Sequence, residues 1–367
     1  MADLVKNWNH PRYQKIHLLG SGAHGVCLGA EDVATGECVA LKCLPRGKDI
    51  TKYTSREVIN QLRLKHPHII AIREVFLSDE HLVLVLDLAA GGDLFRHVCR
   101  ARRLSEDDAR WFFQQILFAL DYCHRMGVSN RDMKLENVLI SDTGPRPIVR
   151  LSDFGFSKDE NYHSAPGSRV GTPAYLAPEV ISNVMGRSYD AKKADVWSCG
   201  VMLYVMVAGQ YPFTSRDDLK GGGNMGLQAS FQRILKAEFK FPASIPMSDE
   251  CKDLITRMLT KDPARRLSVQ EVLQHPWCMV GLEPHLLGIN ESFVEQSLQE
   301  LPAPEVLQAV ENIVREAMLP GPAQRQQQAA TQQPAQQGGN AAYSTDGASM
   351  LDDLLEPEKY EQQPQRG

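Results

Sequence analysis

The hydrophobic pattern of this chain changes once along its length, and that change constrains the fold more than any other feature. Residues 13–88 alternate apolar and polar positions in runs such as His81–Leu86, which is typical of β-strands, with one helix expected from Thr54 to Leu64. Residues 89–278 are mainly helical by the same test. The pattern predicts an α+β fold with a strand-rich small lobe and a helical large lobe.

Two local signals set boundaries inside the helical part. Ser105 is followed by three acidic residues, which is typical of a helix N-terminus, because the hydroxyl caps the first turn and the acids favour it. The segment Gly221–Gly226 contains three consecutive glycines and predicts a flexible loop.

Composition narrows the class of protein. Of the 367 residues, 43% are hydrophobic and 23% are charged, as in globular domains, and the net charge of -5 gives no positive field for nucleic acid. No apolar run has the length of a membrane span, and residues 1–10 lack an apolar signal-peptide core, so we expect a cytoplasmic or nuclear location. The eight cysteines are scattered, which favours reduced thiols, although Cys27 is a candidate for redox sensitivity.

The C-terminal part differs from the rest of the chain. Residues 279–319 form an extension in which apolar residues recur at helical spacing over 305–318, between proline-rich breakers. Residues 320–367 are rich in Gln, Ala, Pro and Gly, so we expect a disordered tail. The acidic patch Leu351–Glu356 is either a docking segment or a solubilising one.

The segment Asn130–Asn137 carries residues suited to moving a phosphoryl group. Asp132 can accept a proton from an attacking hydroxyl, Lys134 can neutralise charge on the transferring phosphate, and Asn137 can hold a metal ion. The first residue is Asn130, where the protein-kinase catalytic loop has His.

Glycines at positions 20, 22 and 25 let backbone N–H groups approach phosphates. Alone this motif is weak, because it also occurs in dinucleotide-binding folds. Here Val26–Ala30 follows as a strand rather than as a helix, which excludes that alternative, and Lys42 lies on the next strand. A surface strand lysine would be the ordinary interpretation of Lys42 without these neighbours.

Asp153-Phe154-Gly155 follows a predicted strand, Ile148–Leu151, and precedes a serine-rich loop that ends at Ala177-Pro178-Glu179. Asp153 is placed to chelate Mg²⁺ that bridges the β- and γ-phosphates. The order of all these motifs is specific, whereas each one alone is common.

In that order, residues 13–278 resemble the eukaryotic protein kinases from end to end, with further matches at Asp195–Val201 and Arg266. The run Thr172–Glu179 and the helix at 305–318 are similar to the plant osmotic-stress- and abscisic-acid-activated subfamily of the sucrose-nonfermenting-related kinases. The resemblance implies a bilobal protein-kinase fold that transfers the γ-phosphoryl group of ATP, with Mg²⁺, to Ser or Thr of protein substrates. In that subfamily the C-terminal helix packs on the small lobe.

The resemblance also implies residue roles. Lys42 would grip the α- and β-phosphates while paired to Glu57, Asp195 would brace the catalytic-loop backbone, and Arg266 would pair with Glu179. Leu86 would lie at the back of the adenine pocket. The positions expected to contact ATP are Leu19, Gly20, Ser21, Gly22, Ala23, His24, Gly25, Val26, Cys27, Lys42, Asp87, Ala89, Asp93 and Leu139.

Regulation and substrate choice follow from the same resemblance. Ser168 aligns with the activating phosphoserine, and Arg131 and Lys158 would receive its phosphate. Asp93 and Glu136 would read a basic residue three positions before the target Ser or Thr, which would make the kinase basophilic. Thr172 would contact Asp132 and Lys134.

Two departures concern activity rather than fold. Asn130 replaces a His that packs under Phe154, and Gln61, one turn beyond Glu57, is polar where many kinases have an apolar residue. We therefore expect low basal activity that is raised by phosphorylation of Ser168 or by the C-terminal helix. The alternative to an active kinase is a pseudokinase scaffold, but all six catalytic positions are filled. An upstream activating kinase and a protein phosphatase are the expected partners.

Overall fold

The structure is a computed structural model that describes residues 5, 8–22, 25–154, 158–159, 173–182, 188–214, 223–322 and 325. The described residues divide into two compact units, one made of those up to Ala90 and those from Glu295 to residue 325, the other of those in Gly91–Val294. Within the described ranges, no helix has both the length and the apolar character that crossing a bilayer requires.

A five-stranded antiparallel sheet forms the first unit, with strand order β1-β2-β3-β5-β4. Helix α1 spans Lys52–Leu62 and so begins and ends two residues before the predicted helix. The strands are β1 (Tyr13–Gly22), β2 (Gly25–Asp32), β3 (Glu37–Pro45), β4 (Ile72–Leu77) and β5 (His81–Asp87). The strand-rich part predicted from alternation is confirmed.

Side chains that point alternately to the two sides of each strand give the sheet two buried faces. On β5, Val83 and Val85 pack in one core with Leu41 of β3, whereas Leu82 and Leu84 pack in a second core. Successive side chains of a strand point to opposite faces, so a fully apolar strand needs cover on both sides.

Cover for the second face comes in part from the C-terminal extension. Helix α10 spans Ile289–Gln299 and helix α11 spans Pro304–Ala317. Buried residues of α11 pack in the same core as residues of α1, β4 and β5: Val310, Val314 and Ala317 with Val58, Ile72, Leu82 and Leu84. A helix distant in sequence therefore completes the core of the first unit.

The second unit is mainly helical, as predicted. Ser105 caps α3 as expected, since its hydroxyl accepts a hydrogen bond from the N–H of Asp108 at 3.1 Å. The helices are α2 (Leu94–Ala101), α3 (Glu106–Arg125), α4 (Pro178–Ile181), α5 (Ala191–Ala208), α6 (Gly223–Lys236), α7 (Asp249–Met258), α8 (Val269–Leu273) and α9 (Pro276–Met279).

Short strands and 3₁₀ turns lie between the helices of the second unit. Two antiparallel pairs form, β6 with β9 and β7 with β8. The elements are β6 (Val128–Ser129), β7 (Val138–Asp142), β8 (Ile148–Leu151), β9 (Lys158–Asp159) and 3₁₀ turns at Leu135–Asn137, Pro173–Tyr175 and Pro284–Gly288.

The loop predicted over Gly221–Gly226 is wrong for its last four residues, because α6 begins at Gly223. The first N–H groups of a helix have no intrahelical partner, so glycines are tolerated more easily there than in a helix interior. The first two glycines of the segment lie outside the described residues.

Arg266 ties three parts of the second unit together, and its pairing with Glu179 confirms the prediction. Its side chain is fully buried, and Nη1 and Nη2 donate to the two Glu179 oxygens at 2.7 and 2.9 Å. The guanidinium also donates to the carbonyl oxygens of Thr260 (3.0 Å) and Lys193 (2.7 Å). A buried charge of this kind is stable only with its partners in place.

We expect Arg266→Ala to lower the free energy of unfolding by about 3–5 kcal/mol, because the Glu179 carboxylate is left buried without its partner. Urea denaturation followed by tryptophan fluorescence measures this change. Arg265→Ala is the matched control, since Arg265 is exposed, and should stay within about 0.5 kcal/mol of the wild type. Equal effects of the two substitutions would contradict the assignment.

Candidate active site

The structure brings Asp132, Lys134 and Asn137 together in the second unit. Lys134 Nζ lies 2.8 Å from Asp132 Oδ2, and Asn137 Nδ2 donates to the same oxygen and to the Asp132 carbonyl, both at 2.9 Å. The Asp132 side chain is only 5% exposed. Because Asn137 donates through Nδ2, its Oδ1 is the atom that can ligate a cation.

Asp153 is held close to this cluster through its neighbour in sequence. The N–H and the hydroxyl of Ser152 both donate to the Asn137 carbonyl oxygen, at 2.8 and 3.0 Å. Asp153 itself has φ of 55°, in the left-handed region that Asp adopts more readily than most residues. The 3₁₀ turn that carries Asn137 and the end of β8 are thus fixed to each other.

Asn130 makes the backbone hydrogen bonds expected of it. Its Oδ1 accepts from the N–H of Asp132 at 3.1 Å, and its Nδ2 donates to the Asp153 carbonyl oxygen at 3.4 Å. The residue is 1% exposed, so both polar atoms lie away from water. The second contact is long for an N–H···O hydrogen bond and therefore weak.

Asp195 braces the catalytic-loop backbone, as predicted. Its Oδ1 accepts from the N–H of Arg131 at 2.7 Å, and its Oδ2 accepts from the N–H of Asn130 at 3.0 Å. His124 Nε2 also lies 2.9 Å from Oδ2, a contact that sequence reasoning missed. A single histidine inside an apolar helix carries no signal of such a role.

Arg131, one expected receiver of a phosphate, is held by a tyrosine. Its Nε and Nη2 donate to the Tyr189 hydroxyl at 3.2 and 2.9 Å. Ser168, Thr172 and Gly155 lie outside the described residues, as does the side chain of Lys158, so their predicted roles stay predictions.

Strand register in the first unit places the glycine-rich segment next to Lys42. Gly20 is paired with Cys27, and Cys27 with Lys42 across β2 and β3. Gly25 has φ of 142°, and a Cβ there would overlap the Cys43 carbonyl oxygen, so the sheet itself requires glycine. Ala23 and His24 lie outside the described residues.

Several more of the expected nucleotide contacts fall on elements of the first unit. Leu19, Ser21, Gly22 and Val26 lie on β1 and β2, and Glu57 lies on α1. Burial raises the pKa of the Cys27 thiol, and the charge of Lys42 offsets this only in part. A thiol with a raised pKa holds less thiolate, which argues against redox sensitivity at Cys27.

Gln61 is a satisfied buried amide rather than a gap in the core. It is 7% exposed, and its Nε2 donates to the Ile70 carbonyl oxygen at 3.1 Å. The hydrogen bond links the end of α1 to the segment before β4. It also satisfies the side-chain amide, which would be costly to bury without a partner.

The last expected nucleotide contacts divide between the units, with Asp87 and Ala89 in the first and Asp93 and Leu139 in the second. Leu86 and Asp87 end β5 and Ala89 follows, while the Asp87 carboxylate accepts from Arg73 Nε at 2.7 Å. In the second unit, Asp93 pairs with Leu139 through the backbone.

The Asp93 side chain has a structural role that its spacing did not predict. Its Oδ1 caps α2 by accepting from the N–H of Arg96 at 2.8 Å, and Oδ2 lies 3.3 Å from Arg96 Nε. A carboxylate at a helix N-terminus is a common cap.

Glu136 lies in an unusual environment for a carboxylate. Its Oε2 accepts from the Tyr175 hydroxyl at 3.3 Å, and its Oε1 is buried without a hydrogen-bond partner among the described residues. Burial raises the pKa of Glu136 to about 7, against the opposing effect of the Lys134 charge. The arrangement suits a cationic partner, which would relieve the cost of burying the charge.

No group of three or more His, Cys, Asp or Glu side chains gathers as a metal cage in the described part of the chain. Asn137 Oδ1 and the Asp153 carboxylate are oxygen donors of the kind that Mg²⁺ prefers. Mg²⁺ is commonly held by one or two carboxylates plus substrate phosphates, so this donor set fits it.

Comparison with known proteins was made for the whole chain. Residues 13–278 match the family model described as "Protein kinase domain". The serine/threonine-protein kinase SAPK4 of Oryza sativa subsp. japonica is 42% identical over 308 residues, 83% of this chain and 83% of the relative.

Two further relatives are similar over the same span. The serine/threonine-protein kinase SRK2A of Physcomitrium patens is 40% identical over 319 residues, 87% of this chain and 88% of the relative. The serine/threonine-protein kinase SRK2E of Arabidopsis thaliana is 41% identical over 318 residues, 87% of this chain and 85% of the relative. These relatives confirm the subfamily that the sequence resembles.

Proposed function

This chain belongs to the protein kinase family and is a serine/threonine protein kinase, and from this premise we propose how its residues divide the work. The cluster of Asp132, Lys134 and Asn137 carries the proposal. All three side chains are fixed by one another before any substrate binds, which is the preorganisation that phosphoryl transfer requires.

Asp132 is the proton acceptor. Its Oδ2 contacts Lys134 and Asn137, so a substrate hydroxyl gives its proton to Oδ1 as the hydroxyl oxygen attacks the γ-phosphorus. The bond from that phosphorus to the β-phosphate oxygen breaks, and ADP leaves. Lys134 neutralises negative charge on the transferring group.

Magnesium ions would be held by Asn137 Oδ1 and the Asp153 carboxylate. Bound Mg²⁺ supplies neutralisation of the phosphate charge. The hydrogen bonds from Ser152 to the Asn137 carbonyl oxygen support this assignment, because they fix the two donor residues to one another.

The first unit binds the nucleotide. Backbone N–H groups of the Gly20–Gly25 segment would contact phosphates, Lys42 would grip the α- and β-phosphates while paired with Glu57, and backbone groups of Asp87 and Ala89 would contact adenine. The pairing of Cys27 with Lys42 across the sheet supports this, since it puts the lysine beside the glycine-rich strands.

The C-terminal helix α11 supports the Glu57 helix. Val310 and Val314 share a core with Val58, the residue after Glu57. We take residues 13–278 as the kinase domain, 279–319 as its regulatory extension and 320–367 as a disordered tail.

Phosphorylation of Ser168 activates the enzyme, with Arg131 and Lys158 as receivers, and Thr172 contacts Asp132 and Lys134. The Arg131 guanidinium is already held in place by Tyr189, which supports a role as a fixed receiver. An upstream kinase would supply this phosphate and a phosphatase would remove it, in stress signalling in the cytoplasm or nucleus.

Substrates carry a basic residue before the target Ser or Thr, read by Glu136 and Asp93. The unpartnered Glu136 Oε1 supports this, because an arginine would supply the missing donor. Asp93 is a weaker reader, since its carboxylate already caps α2.

We expect Asp132→Asn to lower the rate of peptide phosphorylation by about 100- to 10,000-fold, because the proton acceptor is lost. Nucleotide binding, measured by fluorescence titration, should be retained.

Asp142→Asn, at an exposed position, is the control for Asp132→Asn and should keep full activity. Phosphosite mapping of both variants after incubation with ATP and Mg²⁺ shows whether Ser168 is modified by the enzyme itself. An unchanged rate in Asp132→Asn would exclude the proposed chemistry.

We expect Asn130→His to raise the basal rate of phosphatase-treated enzyme by about two- to fivefold, since one stronger hydrogen bond in the loop is worth ~1 kcal/mol. The measurement is initial-rate peptide phosphorylation before any activation. Asn312→His, on the exposed side of α11, is the control. A basal rate equal to that of the wild type would show that Asn130 does not limit the active arrangement.

Preference for a basic residue should depend on pH, because Glu136 with a pKa of about 7 is neutral below that pH and charged above it. Between pH 8 and pH 6, the ratio of kcat/KM for an arginine-containing peptide to that for its alanine analogue should fall about fivefold. Glu136→Gln should give the low ratio at both pH values, whereas exposed Glu250→Gln should behave as the wild type. If this kcat/KM ratio does not change with pH in the wild type, Glu136 does not recognise the basic residue of the substrate.

A further inference from the structure

Arg46, the residue after β3, is buried among backbone carbonyls rather than paired closely with an acid. Its side chain is 6% exposed, and the nearest carboxylate oxygen, Glu316 Oε1, lies 3.8 Å from Nη2. The guanidinium instead donates to four carbonyl oxygens: Leu319 (Nε, 3.3 Å), Ser78 and Asp79 (Nη1, both 3.3 Å) and Glu316 (Nη2, 3.2 Å).

These carbonyls come from two elements that are far apart in sequence. Ser78 and Asp79 lie in the turn between β4 and β5, while Glu316 lies in the last turn of α11 and Leu319 lies two residues beyond its end. Two backbone hydrogen bonds beside the guanidinium repeat the link, from Gly47 N–H to the Ala317 carbonyl and from Arg46 N–H to the Glu80 carbonyl, both at 2.9 Å.

The chemistry of a helix end explains why an arginine is suited to this position. The last carbonyls of a helix have no intrahelical donor and carry partial negative charge. Arginine presents several N–H donors in a planar fork, so one side chain can serve carbonyls of two elements at once. A lysine offers one compact charge and would serve fewer of them.

We propose that Arg46 is the positioning residue that captures the C-terminal helix α11 on the first unit. It directly follows β3, the strand that carries Lys42. The inference rests on the proposed function in one respect, namely that docked α11 supports the Glu57 helix. Without Arg46, the Glu316 and Leu319 carbonyls lose the donor that links them to the β4–β5 turn, which disfavours the docked state.

Gly321 gives a second way to disturb the same contact. It is buried, and an added Cβ would lie 2.6 Å from the Asp79 carbonyl oxygen. The chain that leaves α11 therefore passes too close to the β4–β5 turn for any side chain. Gly321→Ala should loosen the docked helix end without removing the arginine.

Hydrogen exchange of the full-length enzyme, followed by mass spectrometry, tests the capture. In Arg46→Ala, amides of residues 304–319 should exchange at least about tenfold faster, because the helix end loses its charged hydrogen-bond donors. Gly321→Ala should act in the same direction, and Arg46→Lys should restore part of the protection. Arg315→Ala removes an exposed arginine from the same helix end and should change nothing.

Kinetic measurements separate the capture of α11 by Arg46 from the support of catalysis by docked α11. If docked α11 supports catalysis, Arg46→Ala should lower kcat by about tenfold while the KM for peptide stays within about twofold. Unchanged protection of residues 304–319 in both Arg46→Ala and Gly321→Ala would overturn the capture by Arg46. Faster exchange with an unchanged kcat would leave the capture standing and would overturn the support of catalysis by α11.

Discussion

The buried carboxylate of Asp195 is the constraint on which the catalytic loop depends. Three N–H groups converge on it, two from the backbone of Asn130 and Arg131 and one from the His124 ring. Arg131 has a positive φ of 68°, a conformation that local preference alone would not select. A fixed anion repays that cost and holds the next residue, Asp132, where Lys134 and Asn137 meet it.

The contacts of Asn130 give it a structural role in the catalytic loop. In sequence it is a departure from the kinase pattern, whereas in the structure it is a polar hub with contacts to Asp132 and Asp153. The Asn130 amide replaces part of the function of the histidine ring found in the kinase pattern. The replacement is weakest at the hydrogen bond to the Asp153 carbonyl oxygen, because that contact is the longer of the two. Gln61 is similar, because a residue that looked out of place has a backbone partner.

Much of the fold was predictable because its signals are local. Ser105 marks the start of α3 because capping depends on residues within one turn, and the short run of β-branched and other apolar residues predicts β5 because it depends on one strand. The motif residues of the site were likewise readable from spacing. The start of α6 at Gly223 was not, because glycine is a weak helix former and packing overrides that preference.

Contacts between distant parts of the chain were beyond prediction. His124, Tyr175 and Arg46 gain their roles from residues that lie between 32 and 273 positions away. No spacing rule links such residues, since only the folded chain brings them together. The raised pKa of Glu136 belongs to the same class, because burial by neighbours causes it rather than any local sequence.

The place of α11 in the first unit affects how the protein is made. The sheet of that unit leaves the ribosome early, but part of its second core, Val310, Val314 and Ala317, is synthesised last. Domains generally fold as units during synthesis, starting from the N-terminus. Here one apolar face of the N-terminal unit stays only partly covered, by α1, until α11 has been made, so a chain stopped before residue 304 would expose part of that face to chaperones and to other copies of itself.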